Sequence, residues 1–249
     1  MTMENEQRTR ERLVGRTFVQ LADSLVSGFD VVELLADLVN SAVSLLGVAE
    51  AGLMLTDQRG FLRVMAASSE RTRTIELLEL QNDEGPCLEC FRTGRPVSSV
   101  DPDERAQRWP KFASHIADDD IGPIYALPMR LRDETVGAMN LFLTPGPGLP
   151  PADLELGQAL SDVATIALIS HRAMRANEQL AEQLQLALSS RVAIEQAKGV
   201  LAERAQVDMQ AAFELLRSYA RRNRRQLSEI AAAVAAGELS TSAFLSSDG

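Results

Sequence analysis

Cysteine is nearly absent from this chain: Cys87 and Cys90 are the two in 249 residues. So few do not build a disulfide framework. Aromatic residues are scarce as well, at 4%, with a single Trp and two Tyr. No run of eighteen apolar residues occurs, so no membrane span is expected. Residues 1–12 mix acidic, basic and polar side chains and lack the apolar stretch of a signal peptide. The expected location is the cytoplasm. Gly-x-Ser-x-Gly, P-loop and dinucleotide fingerprints are all missing, so no catalytic constellation is expected. His115 and His171 stand alone, without the second Cys pair or paired His that would complete a zinc site. Positive charge is also in deficit. Twenty-five Lys plus Arg against 35 Asp plus Glu leave −10, which repels phosphate and speaks against a bulk nucleic-acid coat.

What is present is a globular chain, 45% hydrophobic, too rich in Leu, Val and Ala to stay disordered. Val14, Phe18, Leu21 and Leu25 recur at helical spacing. Ser27-Gly28 breaks that pattern, and Asp30 caps a second helix striped by Val31, Leu34, Leu35, Leu38, Ala42 and Leu45. Residues 51–56 and 61–66 around the turn Asp57-Gln-Arg-Gly60 predict a hairpin. A short helix over 72–80 follows, then a turn, a helix of one or two turns and a Gly94 stop, then a strand over 97–100. Residues 101–122 are polar and predict irregular chain, ending near the acidic run Asp118 to Asp120. A second hairpin pairs 124–130 with 136–143. Antiparallel hairpins flanked by helices indicate an α+β fold.

Beyond the Pro/Gly breaker at 144–151 the pattern is all helical. From Asp153 to Arg204 there is no Pro, and the glycines are Gly157 and Gly199. Leu160, Val163 and Ala167 form an early apolar seam, and Leu180, Leu184 and Leu188 a later one. Such length predicts a coiled-coil helix that pairs with a partner, hence a homodimer. Two ordinary helices with a kink at 171–177 are the alternative. Asp208 caps a helix carrying Ala212, Phe213, Leu215, Leu216 and Tyr219 and ending at Asn223. A last helix with Leu227, Ile230, Ala231 and Val234 stops at Gly237, before a Ser-rich tail expected to fray.

The charge is not evenly spread. Between Arg191 and Arg225 lie eight basic residues and four acidic ones, so this stretch carries +4 and the remainder −14. Five Arg fall within nine residues, at 217, 221, 222, 224 and 225. Arg217, Arg221 and Arg224 follow i, i+4, i+7 spacing, one face of a helix, and Arg191 and Lys198 stand seven apart. Arg204 points elsewhere and suits its helix C-terminus. Tyr219 shares the side of Ala212 and Leu215, which predicts packing rather than base stacking. Arg offers planar, forked contacts to phosphate and stacks on unpaired bases. A compact basic helical unit on an acidic body therefore points to nucleic acid.

These residues resemble the ANTAR domain. The similarity runs over about 180–238 and rests on Ser190–Arg204, above all Ile194-Glu-Gln-Ala-Lys-Gly199, then on 211–220, Asn223 and 227–231. The resemblance implies an RNA-binding transcription antiterminator that favours a paired stem-loop structure over a competing terminator. The RNA surface it implies comprises Arg191, Gln196, Lys198, Arg217, Arg221, Arg222 and Asn223, to which the basic cluster adds Arg224 and Arg225. Ala205-Gln206 departs from the pattern, since relatives often carry Gly there.

Residues 15–172 resemble a GAF domain through Glu84-Gly-Pro-Cys87, Arg92-Thr-Gly94 and Pro96-Val97. GAF domains are small-molecule or redox sensors on an antiparallel sheet, commonly dimeric through flanking helices. The implied plan is a tail at 1–14, a GAF sensor at 15–172, a coiled-coil linker at 173–190, an ANTAR domain at 191–238 and a flexible tail at 239–249. No cofactor is implied beyond an unidentified small-molecule effector. Cys87 and Cys90 form a CxxC at a helix start, where the helix dipole lowers a thiol pKa. A redox role and a buried packing role both stand for them. Two rival functions stay open beside the RNA-binding regulator: a redox-active GAF enzyme or sensor using these thiols, and a protein-interaction module whose basic face meets an acidic helix.

Overall fold

The computed structural model describes residues 3–23, 30–57, 59–117, 120–240 and 242–245. Leu25, Ser27-Gly28, Gln58, Asp118, Asp119 and the tail end 246–249 lie outside the described residues. The chain divides into two compact units, Met1–Ala173 and Met174–Gly249.

The first unit opens with α1 (Met3–Asp23) and α2 (Val31–Leu46). Asp30 caps α2 as its spacing predicts, its carboxylate accepting the Val32 N–H at 2.8 Å. A five-stranded antiparallel sheet follows, built from β1 (Glu50–Thr56), β2 (Leu62–Ala67), β3 (Val97–Ser99), β4 (Ile124–Leu131) and β5 (Glu134–Phe142). The spatial order is β2-β1-β5-β4-β3. Both predicted hairpins are present, β1 with β2 and β4 with β5. Between β2 and β3 lie α3 (Glu70–Asn82) and α4 (Pro86–Thr93). Gly94 ends α4 with φ +62°, a left-handed conformation that suits glycine.

Residues 101–122 depart from the expected irregular chain by forming α5 (Pro102–Arg108) and α6 (Pro110–His115). Each begins with proline at its first position, where the missing N–H costs nothing, and Asp101 caps α5 by accepting the Asp103 N–H at 2.9 Å. Polarity hid these helices because the large apolar side chains here are few, Trp109 between the two helices and Phe112 in α6, both buried.

Both faces of the sheet are covered. Leu53, Leu55, Met139 and Leu141 meet α1, α2 and the start of α7 (Pro151–Ala205) on one side, through Val14, Phe18, Leu35, Leu38, Leu160 and Ala164. Met54, Ala138 and Phe142 point the other way, onto Ile75, Cys87, Trp109 and Phe112. Successive side chains alternate between the faces, so β1 and β5 are nearly all apolar instead of apolar on one side. Each fully buried Leu or Phe contributes roughly 1.5–3 kcal/mol by leaving water.

The α7 helix spans 55 residues and is helical throughout 171–177, where the alternative reading placed a kink. Its later turns belong to the second unit, with α8 (Met209–Arg222), α9 (Leu227–Ala235) and α10 (Ser242–Leu245). Ala197 and Leu201 of α7, Ala212, Leu216 and Ala220 of α8, and Ile230, Ala231 and Val234 of α9 form its core. The tail differs from the frayed chain expected: Phe244 is buried in that core, its ring 4.4 Å from that of Tyr219. One buried aromatic outweighs a Ser-rich neighbourhood.

Candidate nucleic-acid interface

The basic face follows from what the second unit must bury. Ala197 and Leu201 turn inward at i, i+4, and so do Ala212, Leu216 and Ala220, which leaves the intervening charged side chains outward. Asp208 starts α8, its carboxylate accepting the Ala211 N–H at 2.7 Å. Before it, Gln206 takes φ +54° and its Nε2 donates to Glu203 O at 2.7 Å. That left-handed position explains why glycine suits this turn in relatives of the pattern.

Arg191, Gln196, Arg217, Arg221 and Arg222 are exposed. Among the described residues, Arg191, Arg217, Arg221, Arg222 and Arg224 make no ion pair. Lys198 is held differently: its Nζ lies 2.9 Å from Glu195 Oε2 and 5.9 Å from the centre of the Phe213 ring. Arg225 pairs with Glu229 at 3.3 Å. Asn223 is occupied by the helix end, its Nδ2 donating to Tyr219 O at 2.9 Å.

Arg224 does not extend the face of Arg217 and Arg221. α8 ends at Arg222, and Arg224 lies beyond it with φ +53°, so i, i+7 helical spacing fails at that step. Its N–H bonds to Arg221 O at 3.2 Å, closing the turn toward α9. Tyr219 is half-buried beneath Phe244, which leaves Arg and polar side chains to line the face.

In the first unit the thiols behave unlike the dipole expectation. Cys87 and Cys90 are both free and buried. Burial, with the neighbouring Glu76 and Glu79 carboxyls, pushes the Cys87 thiol well up from its ordinary value. Burial pushes Cys90 to about 12. Desolvation of a thiolate outweighs the helix dipole here, so both remain thiols at neutral pH. The Cys87 S–H donates to Ala138 O at 3.6 Å.

Beside them sits a group that the sequence reading passed over. Glu76 and Glu79 of α3 are wholly buried, and both accept from Asn140 Nδ2 of β5, at 3.0 and 3.1 Å. Glu79 also accepts the Cys87 N–H at 3.1 Å. A Cβ on Gly52 would collide with Glu76 Oε1 and lie 2.9 Å from Thr72 Cγ2, so only glycine admits this carboxyl against β1. Thr72, Ile75, Glu76 and Glu79 are spaced as one helix face. Its polarity concealed it as a buried one. Among the described residues, no group of three or more His, Cys, Asp or Glu could hold a metal ion, and no helix is long and apolar enough to cross a membrane.

The GAF domain family matches residues 30–169, more than half of the chain, and the ANTAR domain family matches 182–234. The chain is a GAF–ANTAR protein. Its fold is shared with the GAF domain of an Acinetobacter phosphoenolpyruvate-protein phosphotransferase, at 15% identity and a TM-score of 0.51 over 70% of this chain and 97% of that one. The GAF domain of a Coxiella burnetii phosphoenolpyruvate-protein phosphotransferase also has a TM-score of 0.51, at 13% identity over 66% and 96%. At such identities the likeness establishes the fold alone. No curated protein matches the chain. A sensory domain and an RNA-binding antitermination domain in one chain make this GAF–ANTAR protein a regulator in kind.

Proposed function

We propose that this chain controls transcription by binding a pair of RNA stem-loops through its C-terminal unit, under the control of its GAF domain. The observation that carries the reading is the cluster of arginines without ion pairs, on a +4 stretch of a chain whose remainder is −14. Arg191, Arg217, Arg221 and Arg222 meet phosphate first, with Gln196 and Lys198 beside them. Asn223 orders the end of α8, and Arg224 and Arg225 extend the positive surface toward α9. The sensor occupies 15–172, the linker 173–190 and the RNA-binding unit 191–238. A small-molecule effector acts on the sensor. Leu180, Leu184 and Leu188, exposed on successive turns of α7, support pairing with a second copy of the chain.

Gel-shift titration with a double stem-loop RNA tests the reading. Arg191→Ala, Lys198→Ala and Arg221→Ala should each weaken binding while leaving the helical signal unchanged. Removing one phosphate contact lowers the slope of log K against log salt by about 0.7–0.9. Unchanged affinity in all three variants would sink the assignment.

A further inference from the structure

Arg105 of α5 is 4% exposed, and every group that meets its guanidinium is neutral. Nε donates to Ser99 Oγ at 3.0 Å, and Nη2 donates to Ser99 O at 3.4 Å and to Gly122 O. No carboxylate pairs with it, and Nη1 has no hydrogen-bond partner among the described residues. Arg108, three residues on, is paired with both Glu89 and Glu104. Acids are therefore within reach of this helix, yet Arg105 is left without one. A buried cation lacking a counter-charge is costly to keep.

Arg105 lines a cavity of about 500 Å³ between α5 and α6. That is within the range of small-molecule sites, roughly 300–1,000 Å³. Pro102, Ala106, Pro110, Ala113 and Ile116 form most of its walls, with Ser114, so Arg105 is the one charged residue of a mostly apolar lining. Asp103 and Glu104 on α5 and Asp120 beside Ile121 add negative charge next to the lining residues. A doubly charged phosphate meets more repulsion there than a single carboxylate does.

We propose that this cavity binds an organic monocarboxylate, its carboxylate on Arg105 and its apolar body against the walls from α5 and α6. The inference names the ligand class of the sensory domain and rests on that reading of the GAF unit. Binding is read on the full chain without RNA, so its failure is separate from a failure of RNA binding.

Titration calorimetry with benzoate as probe tests it, with benzamide and inorganic phosphate as controls. Benzoate should bind saturably, and benzamide and phosphate at least tenfold more weakly. Ala106→Leu, at an exposed wall position that leaves the Arg105 hydrogen bonds in place, should cut benzoate affinity at least fivefold with an unchanged melting temperature. Arg105→Met should abolish binding. Absence of benzoate binding, equal binding of benzamide, stronger binding of phosphate, or intact affinity in Ala106→Leu would each overturn the proposal.

Discussion

Asn140, near the C-terminal end of β5, donates its amide Nδ2 to Glu76 Oε1 at 3.0 Å across 64 residues of chain. The same nitrogen donates to Glu79, so one amide serves two buried carboxyls. Burial pushes Glu76 up from 4.5 to about 8 and Glu79 well up from the same value, and the Asn140 hydrogen bond opposes this only in part. Among the described residues, Glu76 Oε2 and Asn140 Oδ1 have no hydrogen-bond partner.

Stability should therefore depend on pH in a stated direction. The folded chain keeps the Glu76 proton up to about pH 8, whereas the unfolded chain releases it near 4.5. The folded state binds more protons between those values, so this contribution is full below 4.5 and is lost as pH rises through about 8. Glu79 acts in the same direction. Glu76→Gln should make the decline shallower and the protein more stable than the parent at pH 8. Urea denaturation at a series of pH values checks this, and an identical decline in both proteins would remove the account.

The thiols should be inert in the folded protein. Cys87 and Cys90 are buried and shifted toward the neutral form, so a disulfide reagent should label neither at neutral pH until denaturant is added. Rapid labelling of the native chain would restore the redox reading.

Gln206→Gly should stabilise the second unit. It removes roughly 1–2 kcal/mol of left-handed strain and adds roughly 0.5–1 kcal/mol of backbone entropy cost, a net gain of about 0.5 kcal/mol. Thermal melting followed by helicity provides the measurement, and a lower melting temperature would contradict it.

The tail should matter to the RNA-binding unit. Phe244 is 3% exposed and lies against Tyr219, so Phe244→Ala should cost roughly 3 kcal/mol in urea denaturation. An unchanged midpoint would show that the ring contributes little.

How much of this was legible in the sequence differs from element to element. Asp30 and Asp208 announce α2 and α8 because a cap bonds an N–H two or three residues away, a relation written within the local sequence. The two hairpins and the basic stretch 191–225 are legible for the same reason. Arg224 misled because helical spacing assumes that the helix continues, and α8 stops two residues earlier. The departure at Ala205-Gln206 marked a turn where a side chain accepts a glycine conformation.

By itself the sequence determined the α+β class, the helical second half and a positive C-terminal unit on an acidic body, all of which follow from periodicity, caps and the order of charges. Only tertiary structure decided that Glu76 and Glu79 are interior, that Cys87 is buried against Ala138, that Arg105 is buried without an ion pair among the described residues, and that Phe244 belongs to a core. Each of these depends on which distant residue arrives beside it: Asn140 and Ala138 from β5, Ser99 from β3, Tyr219 from α8. Burial sets the protonation and exposure of a polar group, and burial is a property of partners that local spacing does not encode.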